Sequence, residues 1–205
     1  KKAASENASA VGYGNNANAL AASAVGYNNT AGGVGSSTIG YNNTATNENA
    51  SAFGYGNTAG GLASSAFGFS NTASGDNANA FGYNNIASGS KSNVFGTGNT
   101  VSGSSSTAVG TANEVAAENS TAIGNNNTIS SGAEISAALG NNISISLKDS
   151  VALGNHSTAT AINSVTGNSS YTKWAGVSDV VGVVSVGSSG ATRQIQNVAA
   201  GQVSA

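Results

Sequence analysis

The chain has 205 residues and a formal net charge of −2, and only 7% of its residues are charged, against about 25% in ordinary soluble domains. No basic stripe exists, which argues against nucleic acid as a partner and against a polybasic membrane patch. Cysteine is absent and histidine occurs once, which removes disulfides, thiolate metal sites and a histidine cluster. No apolar run approaches the roughly 18 residues of a membrane helix. The sequence begins at Lys1 without a Met or a signal peptide and reads as a segment of a longer protein, so missing targeting signals carry no weight. Low charge can signal disorder, but the chain lacks Pro and its apolar residues recur on a strict period, so order by repetition is the expectation.

From the N-terminus a glycine recurs every fourteen residues: Gly12, Gly26, Gly40, Gly54, Gly68, Gly82, Gly96, Gly110 and Gly124. After one interval of sixteen it returns at Gly140, and then at Gly154. A large apolar residue precedes each: Val11, Val25, Ile39, Phe53, Phe67, Phe81, Phe95, Val109, Ile123, Leu139 and Leu153. A period this short means one unit stacked on itself. In residues 22 to 27 the alternation predicts a strand, with Ala22, Ala24 and Gly26 on one face and Ser23, Val25 and Tyr27 on the other. A second short strand is predicted around 29–31, 43–45 and 57–59, with Ala31, Ala45 and Ala59 as its apolar position. Asn, Gly and Ser between them make turns. Two strands and two turns in fourteen residues make a narrow roll whose coils stack as parallel strands about 4.8 Å apart.

Asn precedes the second strand at Asn15, Asn29, Asn43, Asn57, Asn71, Asn85, Asn99, Asn113 and Asn127. These residues form a ladder of side-chain amides from coil to coil, or serve as tolerant left-handed turn residues. Both readings stand at this point. Two packings also stand. A thin roll closes around Ala, Gly and Ser and turns the bulky face outward. A thicker roll takes the bulky face inside. In the first, the apolar column exceeds the few hundred Å² that monomers expose, and a symmetric homo-oligomer is the economical way to cover it. Tyr13, Tyr27, Tyr41, Tyr55 and Tyr83 share the bulky face, and their hydroxyls favour its rim. Further on that position becomes Thr97, Thr111, Asn125, Asn141 and Asn155, which is wetter.

After about Thr160 the period stops. The only Trp, Trp174, follows, then the strongly β-forming run from Val180 to Gly187, a turn at Ser188-Ser189-Gly190, and Arg193-Gln194-Ile195-Gln196-Asn197-Val198-Ala199-Ala200-Gly201. A solenoid needs a terminal cap, and this end suits that role.

Ser150-Val151-Ala152-Leu153-Gly154 and Ser120-Thr121-Ala122-Ile123-Gly124 resemble the head repeat of YadA-type trimeric autotransporter adhesins of Gram-negative bacteria. The segment from Val184 through Arg193, Ile195 and Asn197 to Gly201 looks like that family's neck. Tyr171 to Gly182 is similar to the insert between head and neck. The resemblance implies an all-β fold: a left-handed parallel β-roll solenoid of 14-residue repeats, assembled as a homotrimer, with a non-repetitive C-terminal insert and neck. It divides the chain into a head (1–160), an insert (161–182) and a neck (183–205) leading to a coiled-coil stalk. It puts the apolar column from Val11 to Leu153 at the trimer axis, and implies outer-membrane anchoring through a C-terminal barrel that this segment lacks. Phe in four successive repeats and the regular Tyr after the glycine depart from the family pattern.

No catalytic constellation is evident. His156 lacks His or Cys partners, and the acids show no close pairing, Glu114 and Glu118 being nearest. No phosphate loop and no calcium-solenoid Asp repeat occurs. The expectation is therefore a non-enzyme without metal or cofactor. The resemblance implies an adhesin head on the bacterial surface, binding host collagen, fibronectin or laminin, or a cell-surface glycoprotein such as a CEACAM-type receptor. This segment makes no membrane contact. The alternative is a passive structural or ice-binding solenoid, for which Thr30, Thr44, Thr58 and Thr72 supply only one column, lapsing at Ile86. The ligand surface is expected on the second strand and its turns.

Overall fold

The computed structural model describes residues 2–162 and 181–196. Most of the 161–182 insert, Trp174 and the neck residue Asn197 lie outside the described residues. The chain winds as a parallel β-solenoid of about eleven turns. Each coil contributes one five-residue strand, such as Ser65–Phe69, and one two-residue strand, such as Thr72–Ala73. The long strands stack into one twelve-stranded parallel sheet and the short strands into another. Register follows the period: Phe53 pairs with Phe67, Phe67 with Phe81, and Gly68 with Gly82. The sixteen-residue interval does not disturb it, because Ile123 still pairs with Leu139 and Gly124 with Gly140. The two surplus residues are taken up in the turn that holds Gly132 and Ile135.

Of the two packings, the thin roll is the one adopted. Ala24, Ala31, Ala52, Ala59, Ala66 and Ala73 are fully buried, whereas Val11, Ile39 and Leu139 are exposed. Such an interior is narrow, and an alanine methyl contributes little, on the order of 0.8 kcal/mol. The roll therefore depends heavily on hydrogen bonding. In the later coils the short strand fills the interior with larger groups, Val101, Val115, Ile129 and Ile145, all buried.

Of the two readings of these asparagines, the ladder holds, and none of them has left-handed backbone. Asn71 is wholly buried. Its backbone N–H donates to Asn57 Oδ1 at 2.9 Å, and its Nδ2 donates to the same oxygen at 3.0 Å. Nδ2 also donates to Phe67 O and Gly82 O, both at 2.8 Å. The same bonds recur from Asn29 to Asn127, so each amide ties three coils together. The left-handed turn belongs to the residue just before: Asn28 (φ 59°), Asn42 (56°), Ser70 (55°) and Asn126 (53°). The ladder ends where Ile143 N donates to Asn127 Oδ1 at 3.0 Å.

The glycine period has a backbone cause. Gly68 has φ +115°, a region closed to other residues, and a Cβ there would stand 2.1 Å from Gly82 O. Glycine is needed because the coil above lies against its Cα, and because Asn71 draws the Gly82 carbonyl into that space.

A second ladder serves the C-terminal half. Ser106 Oγ accepts from Ser120 N at 3.0 Å, Ser120 Oγ from Ser136 N at 3.1 Å, and Ser136 Oγ from Ser150 N at 3.0 Å. It continues into the second described stretch, where Val183 N donates to Ser150 Oγ at 3.0 Å. Val184–Ser185 then pairs with Val151 and Ala152 as the next layer of the long-strand sheet. Arg193 closes this end. Its guanidinium stands about where a Cβ on Gly154 would meet it, at 3.3 Å. It donates to Val186 O at 2.8 Å, to Ser157 Oγ at 3.2 Å and to Asn155 O. A fixed planar fork suits several acceptors on one face.

Two outcomes follow for stability. Asn71→Ala leaves Asn85 N without its acceptor and removes the side-chain donor from Phe67 O and Gly82 O, at about 1–3 kcal/mol for the orphaned buried group, and should lower the urea midpoint. Gly68→Ala adds overlap to about 1–3 kcal/mol of backbone strain and should cost more. A Gly68→Ala midpoint equal to that of the unmodified chain contradicts the close contact. Arg193→Ala should speed hydrogen exchange in residues 151–159 and 183–187 while coils before Gly110 keep their protection. Uniform exchange along the stack contradicts a local cap.

Candidate functional site

Parallel strands in register bring identical residues into line, so the outer face of the long-strand sheet carries continuous columns. The first runs from Val11 to Leu153. Within it Phe53, Phe67, Phe81 and Phe95 stack with ring centroids 4.7, 4.9 and 5.4 Å apart and planes within 14° of parallel. The second holds Tyr13, Tyr27, Tyr41, Tyr55, Phe69 and Tyr83, with centroids 4.7–5.3 Å apart. These spacings match the 4.7–4.9 Å between strands, so the sheet itself sets the stacking. Beyond Tyr83 the second column continues as Thr97, Thr111, Asn125, Asn141 and Asn155, all exposed.

Neighbouring rings cover one another's faces but leave their edges in solvent. Val25, Phe53, Phe67 and Phe81 are half-buried in this way. Val11 is 57% exposed and Tyr13 71%, because both lie in the first coil. The result is a flat strip, aromatic in the first half and aliphatic in the second, with Ser23, Ser37, Ser51 and Ser65 along one side. Its chemistry is that of contact area. It offers tyrosine hydroxyls and apolar edges, and Asp, Glu, Lys and Arg are absent from both columns.

The remaining candidates lie apart from this strip. His156 is exposed in a left-handed turn (φ 57°), its N–H bonded to Asn141 O at 2.8 Å. Glu114 and Glu118 are exposed on the short strand and the following turn. Among the described residues no group of three or more His, Cys, Asp or Glu is placed to hold a metal ion. The threonine column stands on the short-strand sheet as a single row, broken at Ile86 and Glu114. Of the residues expected to form a neck, Arg193 binds the last coil and Ile195 is 69% exposed. Sequence reasoning missed the serine ladder and the pairing of Val184–Ser185. The signal for the first was present in the column Ser106, Ser120, Ser136 and Ser150.

The YadA head domain repeat matches residues 31–57, 59–85, 102–127 and 148–165. Those segments include the repeat glycines Gly40, Gly54, Gly68, Gly82, Gly110, Gly124 and Gly154, and the first three include the ladder asparagines Asn43, Asn57, Asn71, Asn85, Asn113 and Asn127. No curated protein matches the chain. The chain is thus a β-solenoid of YadA head domain repeats, the non-catalytic adhesin head repeat typical of trimeric autotransporter adhesins.

Proposed function

We propose that this chain forms the left-handed, homotrimeric head of a bacterial surface adhesin. The column from Val11 to Leu153 packs at the trimer axis, and the outward turns and short strands bind a host ligand. The observation that carries the reading is the uninterrupted apolar strip on the long-strand sheet, present beside an interior that is already complete. A strip of eleven coils is far longer than the patches that soluble monomers expose, and threefold symmetry covers three copies with one self-complementary arrangement. In this reading residues 1–160 are the head, 161–182 an insert and 183–205 a neck. The neck leads to a coiled-coil stalk and an outer-membrane anchor.

The ligand class is a host extracellular-matrix protein such as collagen, fibronectin or laminin, or a cell-surface glycoprotein of the CEACAM type. Three equivalent faces on one rigid stack favour multivalent capture. The scarcity of charge favours recognition by shape, hydrogen bonds and apolar contact.

Light scattering should return three chains per particle. Phe67→Ser with Phe81→Ser should yield monomers, since each ring contributes about 1.5–3 kcal/mol when fully covered. A monomeric parent chain overturns the axial placement. For the ligand, the trimer should bind host cells saturably, with less than about a threefold change in affinity between low and high salt. Thermal hysteresis without cell binding replaces adhesion with an ice-binding role.

A further inference from the structure

The repeat places asparagine in two environments, and only one of them leaves room for a substituent in the folded stack. The ladder residues, such as Asn29 and Asn43, are buried with every amide hydrogen engaged. The turn residues beside them are exposed. Across the described residues, eight asparagines begin an Asn-x-Ser/Thr triplet, and all eight are exposed turn residues: none is a ladder asparagine. The phase of the repeat explains this. Two residues beyond a ladder amide lies the interior position of the short strand, always apolar. Two residues beyond a turn asparagine lies an outward position, often Thr or Ser, except after Asn155, where Ser157 is buried. Four triplets end in Thr, at Asn28, Asn42, Asn119 and Asn126. All four acceptors have left-handed backbone, φ 53–59°.

We infer that Asn28, Asn42, Asn119 and Asn126 are acceptors for N-linked sugars. Asn-x-Ser/Thr without Pro at the middle position is the acceptor triplet for this modification, and the chain contains no Pro. The β-branched Thr holds its hydroxyl in a restricted set of rotamers, which favours the Thr triplets. In the transfer, Nδ2 attacks the anomeric carbon of a diphosphate-activated sugar. The C–N bond forms and the C–O bond to the diphosphate breaks. The amide proton passes to a base of the transferase, and the diphosphate departs with the former bonding pair. The donor is a nucleotide sugar or a lipid-linked sugar, and the transferase is supplied by the producing cell.

The structure fixes when this happens. The middle residue of each triplet is locked into the stack: Asn29 N donates to Asn15 Oδ1 at 2.9 Å, Asn43 N to Asn29 Oδ1 at 2.9 Å, Asn127 N to Asn113 Oδ1 at 3.1 Å, and Ser120 N to Ser106 Oγ at 3.0 Å. A transferase cannot draw such a segment into its active site, so transfer precedes folding. The product folds without loss. A substituted Nδ2 keeps one hydrogen, enough for the 2.8 Å bond from Asn126 to Asn142 Oδ1, and the sugar leaves from a corner of the roll.

The test is peptide mapping by mass spectrometry of the full-length protein recovered from the surface of the bacterium that makes it. Sugar-bearing peptides at Asn28, Asn42, Asn119 and Asn126 support the inference. A single hexose at each points to a nucleotide sugar, and an oligosaccharide to a lipid-linked donor. Complete coverage with these four residues unmodified, or sugars on hydroxyls alone, overturns it. Thr30→Ile breaks one triplet with the residue the repeat already uses at Ile86, and Asn28→Ser uses the residue found at Ser70. Each should remove the sugar at Asn28 and leave the other three. Retention of the sugar at Asn28 in the Thr30→Ile chain overturns recognition of the triplet. The number of chains per particle is measured separately, so this inference and the trimer reading fail independently.

Discussion

The buried amide column governs this fold. An asparagine side chain inside a roll of alanines is tolerable only if its donors and acceptor all find partners, and the one supply at the right height is the coil on either side. That requirement fixes the coil spacing, the register and the position of the glycine. Asn71 reaches Gly82 O at 2.8 Å only because Gly68 has no side chain in the way. Amide and glycine are therefore one device read at two positions. The bulky outer column is a consequence, since a roll drawn this tight has no room for Phe.

The interior and the outer strip divide the work. Within a coil the hydrogen bonds define shape, while apolar area, the larger driving force in folding and association, is mostly directed outward. Such a chain holds its form through neighbour contacts, as repeat proteins do, and reserves its hydrophobic surface for assembly. The change from stacked rings to Val109, Ile123 and Leu139 is matched inside, where Ala87 gives way to Val101, Val115 and Ile129. Apolar volume shifts from the outer face to the core along the stack.

Much of this was legible in the sequence because the fold is periodic. The long strands, the short strands and the shared face of Ala22 and Ala24 follow from alternation and period. The choice between thin and thick rolls did not follow, because both satisfy the same pattern. It rests on how closely the Gly82 carbonyl of the next coil lies against Gly68, with no space for a Cβ, which no residue type declares. The asparagine question was undecidable for a related reason: Asn28 and Asn29 are the same residue in sequence, and only three-dimensional placement separates turn from ladder. That the C-terminal end caps the stack was legible, but its contacts were not, because Arg193 reaches Asn155 from 38 residues away, across a segment that shares no period with the repeat.

The turn that holds Gly132 absorbs two extra residues and leaves both sheets unmoved. It also holds Ile135, a β-branched residue in left-handed backbone (φ 58°) and 64% exposed. Strain and surplus length are thus confined to a corner, outside every ladder. For a stack whose coils must otherwise be identical, the corners are where individuality can be stored. A lineage can lengthen a turn there, or change its chemistry, without renegotiating the fit of a single layer.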